Sequence, residues 1–321
     1  MLVIPLGFAC NNACVFCAQG DLRARDAGGD GRTDEVRARL EATPPGGAVA
    51  FIGGEPTLDE RLTDWIRAAD ERGAARILLQ TNGRRLAYRG YAAALRDASP
   101  RLSLDVSLHG STAPMHDYHT STPGSFAQTV TGLKHARDAG IPFAVTTVIT
   151  RSNFRHLPEI VRLAGALGAR AIQLSPAVRH GSAARSADRV IPAPELVAPY
   201  LARALTDAAA QGLGWRAADR ESAPGVAGWF AGLGPVEQAE TTMREPAHDS
   251  PPGAQRRVSL PMLSRPAPGR AEVRSRERRT GAELRQIFPG LFEAGDRGEG
   301  VRGRSGAGPR AAPERGKEGA G

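Results

Sequence analysis

The sequence has almost no cysteine and almost no lysine. Its 321 residues contain three cysteines, none after position 17, and lysine only at Lys134 and Lys317. So few thiols build no disulfide framework, and nothing else points to an oxidising compartment. Aromatic residues make up only 5% of the chain, so any large core must be aliphatic. No run of 18 apolar residues occurs, which excludes a membrane-spanning helix of ordinary length. Residues 1–8 are apolar but lack the basic segment and the length of a signal peptide. The expected location is cytoplasmic, where thiols stay reduced.

A chain-wide basic character is also missing. The formal charge is +8, but residues 251–321 hold 15 Arg and Lys against 8 Asp and Glu, and the first 250 residues hold 27 against 26. The excess therefore sits in a segment rich in Pro, Gly, Ala and Arg. We read 219–321 as a largely disordered, solvated tail with one amphipathic patch at 283–292. Nucleic acid is not an expected partner.

What the sequence does have is a concentration of soft ligands. Cys10, Cys14 and Cys17 lie within eight residues, in Gly7-Phe8-Ala9-Cys10-Asn11-Asn12-Ala13-Cys14-Val15-Phe16-Cys17. Thiolates this close converge on a soft metal centre. Three is an odd number, since structural zinc and ordinary iron–sulfur clusters both take four ligands. Two readings follow. A histidine such as His109 or His116 completes a zinc site, and the chain is a non-catalytic zinc-binding or RNA-associated protein. Alternatively, three cysteines hold an iron–sulfur cubane and leave one iron open to a small molecule.

The first two-thirds of the chain alternate strand-like and helix-like runs. Strands are expected at 2–6, 48–52, 76–80, 102–108, 142–149 and 170–174. Helices are expected at 33–42, 58–72, 84–97, 124–139, 153–167 and 193–211. Ser125 and Asn153 stand where helix N-caps belong, and Gly140 and Gly168 where helices end. Six β-α units in series predict a parallel sheet with helices outside. Right-handed crossovers curl it into an open, partial (β/α)6 TIM-like barrel over 1–218. The stretch 212–217 reads as the start of another strand, with nothing regular after it. Sites in such sheets lie at the C-terminal ends of the strands, and the cysteine loop follows the first.

The fourth strand alternates Leu102, Leu104, Val106 and Leu108 with Ser103, Asp105, Ser107 and His109. Period-2 alternation places the two sets on opposite faces. The apolar set is expected against the helices and the polar set in the lumen, with Gln173 and Ser175 repeating the pattern on the sixth strand. Gly53-Gly54-Glu55-Pro56-Thr57 follows the second strand at the same end as the thiols. His116, Asp117, Tyr118 and His119 are expected in a loop after the fourth strand. His109, which continues the lumen register, is the best placed substrate-facing group there, and Arg179 and His180 are weaker candidates.

Taken together, Cys-Asn-Asn-Ala-Cys-Val-Phe-Cys and Gly-Gly-Glu-Pro-Thr-Leu, with weaker support from Thr81-Asn82-Gly83 and Ser107-Leu108-His109-Gly110, resemble the radical S-adenosylmethionine (SAM) superfamily. The resemblance covers about residues 1–217. It looks closest to the branch with the molybdenum-cofactor, pyrroloquinoline-quinone and peptide- and sulfatase-maturating enzymes. It implies a 4Fe–4S cluster on Cys10, Cys14 and Cys17. SAM is chelated by the open iron and reduced to methionine and a 5′-deoxyadenosyl radical, which takes hydrogen from a substrate. Gly53, Gly54 and Glu55 would receive the SAM ammonium, and Asn82 belongs to the same cofactor-binding set. Phe16 would border the adenine, Ser107 the ribose, Arg151 the carboxylate and Gln173 the adenine. A reductant such as a flavodoxin or ferredoxin is an expected partner, and a peptide or protein side chain the first expectation for the substrate, before a small biosynthetic intermediate. The chain departs from many members of this branch in having no cysteine after Cys17, which removes auxiliary clusters.

Overall fold

The structure, a computed structural model, describes residues 1–22, 31–217 and 220–221. Apart from Arg220–Glu221, the expected tail at 219–321 lies outside the described residues. Among the described residues one sheet runs in strict chain order. Seven strands are parallel: β1 (Leu2–Pro5), β2 (Ala48–Ile52), β3 (Arg76–Thr81), β4 (Leu102–Ser107), β5 (Phe143–Ile149), β6 (Ala171–Pro176) and β7 (Gly214–Ala217). A two-residue β8 (Arg220–Glu221) pairs antiparallel with β7. Parallel neighbours in chain order are what repeated right-handed crossovers produce. Since β1 and β8 stand at opposite ends of the order and do not pair with each other, the barrel is open among the described residues. The partial (β/α)6 barrel is thus present with a seventh parallel strand added. Gly214 lies beside Ala171 and Ala217 beside Leu174.

The crossovers are made by α1 (Gly31–Glu41), α2 (Leu62–Glu71), α3 (Arg89–Ala98), α4 (Ala113–Thr120), α5 (Ser125–Asp138), α6 (Leu157–Leu167), α7 (Gly181–Arg185), α8 (Ala187–Val190) and α9 (Pro194–Ala210). The α6 pattern shows why these segments fold as they do. Leu157, Ile160, Val161, Ala164 and Leu167 are buried at helical spacing. Gly168, at φ 96°, ends the helix in a left-handed turn. Gly140 does the same after α5 at φ 70°. No described helix is long and apolar enough to cross a membrane.

The two faces of β4 divide as the alternation predicts. Leu102, Leu104, Val106 and Leu108 are at most 1% exposed and pack in one apolar layer with Leu62, Ile66, Leu95 and Leu133 of the helices. Burying a side chain of this size contributes about 1.5–3 kcal/mol. On the other face Ser103 stands beside Leu78, Asp105 beside Gln80, and Ser107, Thr146 and Gln173 form one row. Leu78 there packs with Ala50 and Ile52 in a separate apolar cluster.

Three local expectations are corrected. Residues 113–120 are a helix, not a loop. Its buried side chains are His116, His119 and Thr120, so no apolar stripe announces it. Nor does Ser125 cap α5. The N-cap is Gly124 at φ 82°, and the acceptor comes from α4. Asp117 accepts from the amides of Gly124 (2.7 Å) and Phe126 (2.8 Å) and from Ser125 Oγ (2.8 Å). Partial burial opposes ionisation, but these donors hold the Asp117 carboxyl below the usual range. Asn153 likewise makes no side-chain cap. Its carboxamide bridges loops instead, as described below.

Candidate functional site

Residues 6–22 leave β1 in turns without a helix, so their amides and carbonyls need partners from elsewhere. Four neighbouring segments supply them. After β2, the Gly54 amide donates to the Gly7 carbonyl (2.7 Å) and the Glu55 amide to the Ala9 carbonyl (2.8 Å). After β3, Asn82 Nδ2 donates to Asn11 Oδ1 (2.6 Å), while Arg84 Nη1 donates to the Asn11 carbonyl and to Asn12 Oδ1 (2.9 Å). The last turn of α4 has carbonyls its own helix no longer uses. Those of Thr120 and His119 accept from the Ala13 (2.8 Å) and Val15 (3.0 Å) amides. After β6, the Ser182 amide donates to the Cys17 carbonyl (2.8 Å).

Cys10, Cys14 and Cys17 are thereby presented on one fixed loop, each partly exposed and none in a disulfide. The Asn12 amide approaches Cys10 Sγ at 3.4 Å, a donor that favours a thiolate. The close contact with the turn after β2 depends on glycine. A Cβ on Gly54 would lie 2.2 Å from the Phe8 carbonyl and 2.3 Å from that of Ala9, both backbone atoms. Gly53 sits at φ 149°, where a Cβ would meet the Gly7 carbonyl at 2.4 Å.

Glu55 is 3% exposed, and its carboxylate is occupied from inside the protein. Oε1 accepts from the Thr57 amide (3.1 Å), Thr57 Oγ1 (2.6 Å) and Thr81 Oγ1 (2.6 Å), and Oε2 from the Asn82 amide (2.6 Å). Burial pushes its pKa up, against the pull of these donors. The sequence points to Glu55 as a contact for a ligand ammonium; in the structure its carboxylate also ties the turn after β2 to the turn after β3. Asn82 belongs to the same latch, since its carbonyl also accepts from Thr129 Oγ1 (2.9 Å).

The imidazoles form a packed group under the loop. The Phe16 ring meets that of His109 edge-on at 4.6 Å and that of His119 at 6.1 Å, and His109 stacks on His116 at 5.9 Å. His109 Nδ1 accepts from the Val148 amide (3.2 Å), and the His109 amide donates to His116 Nδ1 (3.1 Å). His119 donates from Nδ1 to the Met115 carbonyl (2.6 Å), which leaves Nε2 to accept from Thr150 Oγ1 (2.7 Å). Asn153 accepts from the Thr150 amide (2.8 Å) and donates to the carbonyls of His109 (3.1 Å) and Val148 (2.9 Å). Burial, then the neighbouring histidines, hold His109 well below its ordinary pKa, so it is neutral. At 3% exposure, His109 supports Phe16 and does not face an open cavity. Sequence reasoning had placed it towards a substrate, because strand register gives a side chain's face but not what covers it.

Below this rim the lumen is polar. Asp105, 1% exposed, accepts from Thr146 Oγ1 (2.6 Å) and Gln80 Nε2 (3.2 Å). Burial raises its pKa against both hydrogen bonds. Gln173 Nε2 donates to Ser175 Oγ (2.9 Å), and its Oε1 is buried without a partner. Ser107 is half-buried beside Thr146. Arg151 is not drawn into this group. It is exposed, and its Nη1 donates to the Asp188 carbonyl (2.7 Å). Of the residues singled out from sequence, the structure therefore gathers Cys10, Cys14, Cys17, Phe16, Gly53, Gly54, Glu55, Asn82 and His109 at one rim, with Ser107 and Gln173 on the lumen face. Sequence reasoning missed Arg84, Thr57, Thr81, Thr150 and Asn153. The first and third flank the Asn82-Gly83 turn, which was the available signal.

A zinc ion held by the thiols and a histidine has no supporting geometry. Among the described residues no three Cys, His, Asp or Glu side chains gather on a single-ion site. A cubane takes each thiolate on a different iron and needs no such convergence. Its donor set is met by three reduced thiols on one loop.

Comparison with known proteins agrees. A sequence profile described as the radical SAM superfamily matches residues 4–164, half of the chain. The AdoMet-dependent heme synthase of Nitratidesulfovibrio vulgaris is 32% identical over 189 residues, 58% of this chain and 50% of that protein. The PqqA peptide cyclase of Rhodopseudomonas palustris is 28% identical over 193 residues, 60% of this chain and 50% of that protein. The chain thus spans about half the length of the curated relatives it matches. Streptococcus suis SuiB bound to its precursor peptide SuiA shares the fold, with a TM-score of 0.54 and 15% identity over 72% of this chain and 50% of that one. The chain belongs to the radical SAM superfamily, whose enzymes use a 4Fe–4S cluster and S-adenosylmethionine.

Proposed function

We propose that this enzyme carries one 4Fe–4S cluster on Cys10, Cys14 and Cys17 and uses it with SAM for hydrogen abstraction. The observation that carries the reading is the thiol loop, which offers three thiols and no fourth and is held by the turns after β2 and β3. When bound, these cofactors supply one electron that breaks the C5′–S bond of SAM, giving methionine and a 5′-deoxyadenosyl radical that takes a hydrogen atom from substrate carbon. The Gly53–Gly54 backbone and Glu55 Oε2 form the wall for the SAM ammonium. Ser107 and Gln173 offer polar groups to the nucleoside, and Phe16 borders its adenine on a floor of neutral imidazoles. Arg151 serves the SAM carboxylate only if it leaves the Asp188 carbonyl. The electron comes from an outside donor, a flavodoxin or ferredoxin.

A peptide or protein side chain is the first reading of the substrate. The peptide-bound SuiB structure and the PqqA peptide cyclase support it. A small biosynthetic intermediate is the second, favoured by the 32% identity to a heme synthase. Protein reconstituted with iron and sulfide, reduced with dithionite and given SAM should release 5′-deoxyadenosine, read by chromatography. No release from a cluster-loaded protein would overturn the reading. Stimulation by peptides supports the first substrate, and stimulation by tetrapyrroles alone transfers the assignment to the second.

The glycine contact adds a sharper expectation. Gly54→Ala should push the thiol loop away from the turn after β2 and prevent stable loading, so that iron per chain falls several-fold after desalting. Wild-type iron content in that variant would show that the loop tolerates the methyl group.

A further inference from the structure

We propose that the Arg84 guanidinium raises the reduction potential of the cluster, making its electron easier to accept. This rests on the reading that Cys10, Cys14 and Cys17 hold that cluster. Arg84 begins the 3-10 turn Arg85–Ala87 after β3. It reaches across to the span between Cys10 and Cys14, where Nη1 donates to the Asn11 carbonyl and to Asn12 Oδ1 (2.9 Å). Its Nε donates to Gln128 Oε1 of α5 at 2.6 Å. Every one of these acceptors is neutral, and among the described residues no carboxylate pairs with Arg84. A guanidinium stays protonated at any working pH, so a full positive charge is fixed against the thiol loop. Its field extends to α4. His116 is lowered to about 4, mainly by burial, and Arg84 is among the charges that lower it.

The sign follows from charge alone. Reduction adds one negative charge to a cluster already carrying three thiolates. A nearby fixed cation stabilises the reduced form more than the oxidised one, and cluster potentials respond to local charge in this way. Asn11 and Asn12 act as the connectors that keep the guanidinium over the loop without neutralising it. Gln128 holds the other side of the fork from an exposed helical position.

The test is an EPR-monitored redox titration of the reconstituted full chain, with mediators and dithionite, alongside iron analysis. Arg84→Gln should shift the ratio of reduced to oxidised cluster about tenfold towards oxidised at a given potential, which for one electron is about 59 mV more negative. Arg84→Lys keeps the charge and should stay within about threefold of wild type. Gln128→Glu leaves every loop contact in place but sets a carboxylate on Arg84 Nε. It should shift the midpoint the same way by a smaller amount, and added salt should erase the shift. A loaded Arg84→Gln protein with the wild-type midpoint overturns the proposal, as does an Arg84→Lys shift equal to that of glutamine. If Arg84→Gln cannot hold iron, an unchanged Gln128→Glu midpoint at low salt overturns it instead. Wild-type protein without a four-iron EPR signal overturns this inference and the reading beneath it together.

Discussion

Cys14→Ala is expected to lose the cluster and all formation of 5′-deoxyadenosine, and the same holds at Cys10 and Cys17. The reason is that no substitute thiolate exists. The chain has no other thiol, and a cubane of this kind is held by cysteine thiolates. Iron analysis should fall from about four atoms per chain, the content of one cubane, to less than one. The loop should survive the change. It is held by the amides of Ala13 and Val15 and the carbonyls of Gly7, Ala9 and Cys17, none of which belongs to a thiol side chain. The thermal midpoint of the metal-free protein should therefore match wild type. A variant that keeps four irons and cleaves SAM would remove the assignment. Wild-type protein with about eight irons would show a second cluster that the cysteine count does not allow.

The second large effect is expected at Glu55 and concerns stability before catalysis. In Glu55→Gln the amide nitrogen must take the place of one carboxylate oxygen. In the Oε2 position it faces the Asn82 amide; in the Oε1 position it faces the Thr57 amide. Either way one buried backbone N–H loses its acceptor, at about 1–3 kcal/mol. The threonine hydroxyls can turn, but the amides cannot. Glu55→Ala strands all four donors and should cost on the order of 4 kcal/mol or more, a large part of the roughly 5–15 kcal/mol that holds a typical domain together. Urea denaturation of the metal-free protein reads this directly. Wild-type stability of Glu55→Gln, with only SAM binding weakened, would mean that the latch contributes nothing and that the carboxylate serves the ligand alone.

The sheet was legible because its signals are local and apolar. Residues 48–52 were read with their observed bounds, and the register of β4 followed from four leucine or valine positions alternating with polar ones. The failures share one cause. The α4 helix buries His116, His119 and Thr120, so a search for apolar periodicity reads it as loop. The cap of α5 comes from Asp117, upstream of the N-cap position where a local rule looks. The latch on Glu55 left no signal, because its partners Thr81 and Asn82 are 26 and 27 residues away. Arg84 meets Asn11 and Asn12 more than 70 residues off. Polar contacts at such separations leave no period in a sequence. The thiols were legible because their spacing is itself the signal.

The loop that carries the thiols also dictates an order of events during synthesis. Its residues are made before their partners, which arrive at positions 54, 55, 82, 84, 119, 120 and finally 182. Until β6 and α7 have left the ribosome, the Cys17 carbonyl has no Ser182 amide to meet, and Phe16 lacks its Ala177 and Ala183 neighbours. Domains of this topology gain their long-range contacts late, after loop-closure entropy has been overcome. The nascent chain therefore carries its three thiols on a segment without its late partners while well over a hundred residues are added. The thiol loop reaches the form described above only after residue 182 has been made, so the last contact that shapes the cluster site is also among the last to be synthesised.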